Sequence, residues 1–238
     1  MSFLLESLQA AFRLIIEADS ELLTIVWFSL KISMISTFCA ALPGIPLAFA
    51  IYLNRFKLRK AVITVLNSLL ALPTVVIALL VYSFLSRRGL LGSFGLLYSQ
   101  TAIIIGQVIL VIPMAATFTL SALGQLDIRY LRTARSLGAT KLQTFLVLLK
   151  ETRFALAAVI AACFGRVIAE IGISMMLGGN IKGLTRTMTT AMALEYDKGE
   201  FALAVALGII LMAITLVVNM VIAYYQGNLH EKYNSNAL

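Results

Sequence analysis

The 238 residues predict an all-α, polytopic membrane protein: five transmembrane helices, an N-terminal interfacial helix and a helical loop on the cytoplasmic side. Composition is the first reason. Apolar residues make up 61% of the chain and charged residues 13%, with a mean hydropathy of +0.96, whereas roughly a quarter of a soluble domain is charged. The second reason is the length of the apolar runs, because a hydrocarbon layer ~30 Å thick takes about 20 residues rising ~1.5 Å each. The third is that no run shows the period-two alternation of a strand.

Residues 1–20 lack the basic start and small-residue cleavage site of a signal peptide. Instead Leu4, Leu5, Leu8, Phe12, Ile15 and Ile16 share one helical face, opposite Glu6, Gln9, Arg13 and Glu17. That is the pattern of a helix lying at the membrane interface. Residues 21–238 read as one transmembrane domain. Its first span covers 22–53, with Lys31 near the start, and its second, 61–86, carries no charge. The third is placed at 101–123, because Gly92, Ser93, Gly95, Ser99 and Gln100 ahead of it read as loop. The fourth, 154–177, contains Arg166 and Glu170, and the fifth covers 201–226. All four prolines fall in spans: Pro43 and Pro46 in the first, Pro73 in the second and Pro113 in the third. Each removes a backbone donor and predicts a kink, which fits a bundle built around a cavity as well as a passive packing role. Cys39 and Cys163 sit in different spans without metal-ligand spacing, so neither a disulfide nor a metal site is expected.

The net charge of +8 invites a nucleic-acid reading, which the positions of the charges argue against. Eleven of the 19 Lys and Arg residues fall on one side of the predicted spans: four in 54–60, six in 124–153, and Lys232. Six fall on the other side, beside Glu6, Glu17, Asp19 and Glu21. Cytoplasmic connections carry the basic excess, so the N-terminus is expected outside and the C-terminus inside.

The loop over 124–153 is too long for a turn between spans. Residues 128–137 predict a short helix stopped by Gly138, and residues 142–149 predict a second. Two readings are open: a basic loop that only fixes topology, or a docking knob for a cytoplasmic partner. In span four, Arg166 and Glu170 lie i, i+4 on one face, where each offsets the cost of the other's charge in lipid. This pair either locks the helix to its neighbours or serves transport. Beyond it, Gly178, Gly179 and Gly183 free the backbone, while Asn180, Thr185, Arg186, Thr187, Thr189 and Thr190 supply donors. Such a segment suits transient contacts to a tetrahedral dianion, and equally a polar loop meeting a partner protein.

Aligned on Gly138, the loop resembles the coupling loop of ATP-binding-cassette importer permeases, whose pattern is Glu-Ala-Ala, three residues, Gly, nine residues and Ile-x-Leu-Pro. The glycine, the spacing and Ala134 match; Arg132 replaces the acid and Glu151 the proline. The resemblance implies that Arg132, Thr133, Ala134, Arg135, Gly138, Ala139 and Leu142 meet an ATPase. Residues 165–190, Gly-Arg-Val-Ile-Ala-Glu-Ile-Gly through Leu-Gly-Gly-Asn-Ile-Lys-Gly to Thr-Arg-Thr-Met-Thr-Thr, resemble permeases of oxyanion importers, most closely those for tungstate. Molybdate permeases share the acid, its following glycine and the Leu-x-Gly-Asn-Ile-x-Gly run, and the threonine-rich continuation tilts the resemblance toward tungstate.

The chain has no Gly-x-x-x-x-Gly-Lys-Ser/Thr loop to cradle ATP phosphates. Its sole histidine, His230, lies in the tail, and Glu170 is the one acid within a span, so no proton relay is suggested. The expectation is a non-enzymatic transport subunit without its own cofactor, with ATP and Mg on a separate chain. The resemblance implies a type I importer architecture: a homodimer in the bilayer, two cytoplasmic ATPases and an outside tungstate- or oxyanion-binding protein, with no nucleic-acid partner. The alternative is a stand-alone carrier or channel for a small anion.

Overall fold

The computed structural model describes residues 2–54, 56–127, 129, 133 and 136–235. Among them there is no strand; nine α-helices follow in order. They are α1 (Ser2–Ile16), α2 (Ser20–Leu53), α3 (Arg59–Leu69), α4 (Thr74–Leu85), α5 (Gln100–Gly124), α6 (Lys141–Ile168), α7 (Gly172–Gly178), α8 (Met188–Lys198) and α9 (Phe201–Ser235). α2, α5 and the Phe201–Val221 part of α9 are each long and apolar enough to cross a membrane. The pairs α3 with α4 and α6 with α7 qualify as broken spans, which brings the possible total to five.

Three expectations change. The second span is not one kinked helix: the chain leaves helical geometry at Pro73 (φ −62°, ψ 131°), which becomes the residue before α4. Pro43, Pro46 and Pro113, by contrast, stay inside continuous helices. The predicted 142–149 helix is not separate from span four, because α6 runs unbroken from Lys141 to Ile168. Lys150, Glu151 and Arg153 are polar but good helix formers, and no glycine or proline interrupts 141–164. The start of α6 is fixed by a capping box in which the Thr140 N–H donates to Gln143 Oε1 (2.8 Å) and the Gln143 N–H to Thr140 Oγ1 (3.3 Å). Span four in turn stops early, at Ile168, and bends by 58° into α7.

The chain divides into two compact units, and α2, α5, α6 and α9 each contribute a segment to both. The first unit comprises Met1–Thr37, Leu72–Leu110 and Phe164–Val217. One core cluster in it joins Ala11 of α1, Leu22 and Ile25 of α2, Ile168 of α6, Met188 and Ala191 of α8, and Ala206 and Leu207 of α9. α1 docks on this core through Ala11, Leu14 and Ile15, leaving Leu8, Phe12 and Ile16 exposed. In the same unit α4 packs on α7. Gly106 of α5 lets α7 approach so closely that a Cβ would stand 2.6 Å from Ile173 and Leu177 side-chain atoms. Small residues at contacts between membrane helices work in this way, because burial in lipid gives little hydrophobic drive and close packing must supply the attraction.

The second unit comprises Phe38–Ala71, Val111–Cys163 and Val218–Leu238. Phe49, Leu123, Leu148 and Leu156 form one cluster, with Phe145 set edge-on to Phe49 at 4.7 Å. Ile51, Leu66 and Ala116 form another. Gly44, between the two prolines of α2, brings that helix against Ala115 of α5, where a Cβ would meet the alanine methyl at 2.8 Å. Lys141 Nζ donates to Asn54 Oδ1 (3.0 Å), tying the start of α6 to the end of α2.

Candidate functional site

The break between α6 and α7 is organised by one carboxylate. Glu170 is 3% exposed. Its Oε2 accepts from Arg166 Nη1 at 2.6 Å and its Oε1 from the Ile173 N–H at 3.3 Å. An acid at this point satisfies a free amide of the new helix and lies at the favourable end of its dipole. The carbonyl of Glu170, freed by the break, accepts the hydroxyls of Ser174 (3.2 Å) and Thr189 (3.0 Å). A buried polar row continues from Ser174 to Gln107 Nε2 (3.5 Å), whose Oε1 accepts Ser36 Oγ at 2.7 Å. Thus α2, α5, α7 and α8 meet on one set of hydrogen bonds beside the bend.

After α7 the chain turns through Gly179 (φ +70°), Asn180 (φ +51°) and Gly183 (φ +74°). Asn tolerates this left-handed region better than most side chains. Thr185 Oγ1 closes the turn by donating to the Gly178 carbonyl (2.6 Å) and accepting the Ile181 N–H (2.9 Å). Thr187 caps α8 in a reciprocal box with Thr190, and Thr189 bridges to Glu170. The Ser29 hydroxyl accepts the Met188 N–H at 2.7 Å, fixing the start of α8 on α2. Asn180 Nδ2 donates to the Thr190 carbonyl (3.3 Å), while its buried Oδ1 finds no partner among the described residues. The candidate pathway residues Arg166, Glu170, Asn180, Thr185, Thr187, Thr189 and Thr190 are therefore gathered in one region of the first unit. All four threonine hydroxyls serve the protein's own backbone or one another in this conformation.

Arg186 lies to the side of that cluster, its side chain 12% exposed. With Lys182 it faces Glu21 at the start of α2: Lys182 Nζ donates to Oε2 at 2.6 Å and Arg186 Nη1 to Oε1 at 3.3 Å. A cavity of about 340 Å³ opens there. Glu21, Lys182, Gln107, Ser36 and Ser174 were not singled out as site residues from sequence. The signal for Gln107 and Ser36 was available, since polar side chains inside apolar runs must find partners. Nothing in sequence joins Glu21 to residues 161 and 165 positions later.

On the second unit, Thr133 accepts the Leu137 N–H (3.0 Å) and the Ser136 hydroxyl (3.0 Å) before Gly138 turns the chain with φ +75°. Ala139 is half-buried, while Leu137 and Leu142 on either side of the turn are 80% and 67% exposed. Arg132, Ala134 and Arg135 lie outside the described residues.

Several apolar helices, with two broken spans and a half-buried ion pair and a buried polar row at one break, define a helical membrane protein. The chain belongs to the family of binding-protein-dependent transport system inner membrane components, which it matches over residues 41–230. It is 37% identical to the tungstate uptake system permease protein TupB of Peptoclostridium acidaminophilum, covering 93% of this chain and 97% of that protein. It is 35% identical to TupB of Campylobacter jejuni, covering 93% and 92%. The fold is similar to a chain in the crystal structure of a bacterial alginate ABC transporter in complex with an alginate pentasaccharide-bound periplasmic protein. There the TM-score is 0.72 at 20% identity, covering 93% of this chain and 86% of the other. The chain is accordingly a multi-pass inner-membrane transport subunit, all-helical, with an importer-permease fold.

Proposed function

We propose that this chain is the permease subunit of an ATP-driven importer whose cargo is tungstate, working by alternating access. The observation that carries the substrate is the likeness, over nearly the whole chain, to two tungstate uptake permeases; it includes the Glu170 to Thr190 segment that builds the site. Two copies would enclose the path, since the described residues of one chain offer at most five spans. An outside binding protein would deliver the anion to the face built by residues 178–190. Two cytoplasmic ATPases would grip the Gly138 turn, where Leu137 and Leu142 stand out as apolar contacts and where the Arg132–Arg135 segment adjoins. Their closure on ATP would shift the spans between two arrangements. The N-terminus would lie outside and the C-terminus in the cytoplasm, as the charge distribution argues.

The test is copurification of the ATPase with the permease, together with tungstate uptake in liposomes. Gly138→Pro cannot hold φ +75°, and is expected to lose most ATPase binding and uptake; a Lys150–Glu151 charge swap is expected to weaken both. Undiminished binding and ATP-driven uptake in both variants would overturn the coupling assignment. Tungstate movement by the purified chain alone, without ATP, would favour a stand-alone carrier.

A further inference from the structure

The residues lining the cavity in the first unit include Glu21, Ile25, Phe28, Lys182, Gly183 and Arg186. At about 340 Å³ it is at the small end of the ~300–1,000 Å³ range of small-molecule sites. Its charges do not balance: two cations share one carboxylate. Arg186 is 12% exposed, and among the described residues its Nε is buried without a partner and its one side-chain hydrogen bond spans 3.3 Å. Charge-assisted bonds of this kind normally close to ~2.7–2.9 Å. A guanidinium with five donors is thus buried on one long contact. Burying such a group with so little partnering is costly, and an anion with more charge and more oxygens than Glu21 would partner it better. Phe28 and Ile25 give the cavity apolar walls, which strengthen any charge interaction inside it. Gly183 has φ +74° and open space where a Cβ would stand, so the mouth is left clear.

We propose that this cavity receives the oxyanion, and that Glu21 is a built-in stand-in ligand which a tetrahedral dianion displaces. The inference rests on the oxyanion reading above and adds to it a site, a latch and a basis for selectivity. Both Glu21 oxygens are engaged, one by Lys182 and one by Arg186. A monovalent anion must compete with a carboxylate that is tethered and therefore locally concentrated. A dianion brings twice the charge and four acceptors, enough to engage Arg186 Nη1 and Lys182 Nζ together. Glu21 then sets a threshold that chloride does not pass and tungstate does.

The experiment is calorimetric titration of the detergent-solubilised full-length permease with sodium tungstate, with and without chloride at fixed ionic strength. Glu21→Gln is expected to bind tungstate roughly tenfold more tightly or better, since a like charge is removed within contact distance. It is also expected to become sensitive to chloride competition where the unaltered chain is not. Lys182→Gln, at an exposed position, is expected to weaken binding without loss of folding. Tungstate should raise the melting temperature of Glu21→Gln more than that of the unaltered chain, because ligand bound to the native state stabilises it. Binding by Glu21→Gln that is no tighter, or a melting temperature that tungstate leaves unmoved, overturns the latch. If tungstate uptake by the complete transporter persists in that case, the latch alone has failed; if the unaltered transporter takes up no tungstate, the functional reading fails and takes the proposal with it.

Discussion

Within span four, Arg166 and Glu170 share a 2.6 Å contact but not an environment: the arginine side chain is 39% exposed and the glutamate 3%. Their loss should therefore be unequal. Glu170→Gln keeps an oxygen for the Ile173 N–H and leaves behind a cation with access to solvent or headgroups, so it is expected to cost below about 1 kcal/mol. Arg166→Met leaves a buried carboxylate with one backbone donor. It is expected to cost about 2 kcal/mol, less than the loss seen for fully buried pairs because the arginine is partly exposed. Thermal melting of the solubilised protein checks the order, and a larger drop for Glu170→Gln would refute it. The sequence showed the i, i+4 pair but not the asymmetry, because the bend that buries Glu170 depends on hydroxyls from Ser174 and Thr189 that converge only in three dimensions. The threonines show a second role that local pattern makes legible. Thr187-x-x-Thr190 sits at the start of a helix, as a capping pair does. In this conformation the same hydroxyls that could meet an anion are bonded within the fold.

At the scale of the helix, glycines separate packing from geometry. Gly106 and Gly165 both lie within helices, but a Cβ at Gly106 would stand 2.6 Å from Ile173 and Leu177, while a Cβ at Gly165 would meet nothing within 4 Å. Gly106→Ala is expected to push α5 from α7 at a cost of about 1–3 kcal/mol. Gly165→Ala is expected to be neutral or to stabilise by up to about 1 kcal/mol, through helix propensity. Equal melting temperatures for the two variants would count against the close α5–α7 contact. Long helices were legible in the sequence: α2, α5 and α9 follow directly from apolar length. Their breaks were not. Pro73 stands at a helix break, just ahead of α4, whereas Pro43, Pro46 and Pro113 lie inside continuous helices, a difference invisible to local pattern. The Thr140-x-x-Gln143 box was legible and marks where α6 begins; the charges after it were misread as loop although none of them breaks a helix.

At the scale of the molecule, the net charge of +8 has no single patch to explain it. Eleven of 19 basic residues fall on the side of the 54–60 turn and the 124–153 loop, and six fall with the N-terminal acids on the other. Charge in short connections biases insertion, because basic segments are retained on the cytoplasmic side, whereas acids contribute little. The predicted orientation therefore depends on Lys and Arg placement and not on net charge per side. Single cysteines in a background with Cys39 and Cys163 replaced by alanine report on this directly. A membrane-impermeant maleimide is expected to label Ser7→Cys and Ser93→Cys in intact cells, and Ser136→Cys only after the membrane is opened; all three positions are exposed or half-buried. The reverse pattern would put residues 178–190 on the cytoplasmic side and remove the outside entry on which the Glu21 latch depends. Labelling of Ser7→Cys with Ser136→Cys, and of Ser93→Cys alone on opening, would instead mean that α1 crosses the membrane. Its docking through Ala11, Leu14 and Ile15 with Leu8, Phe12 and Ile16 exposed argues against that, since a 15-residue helix is about 22 Å long and too short for a ~30 Å core.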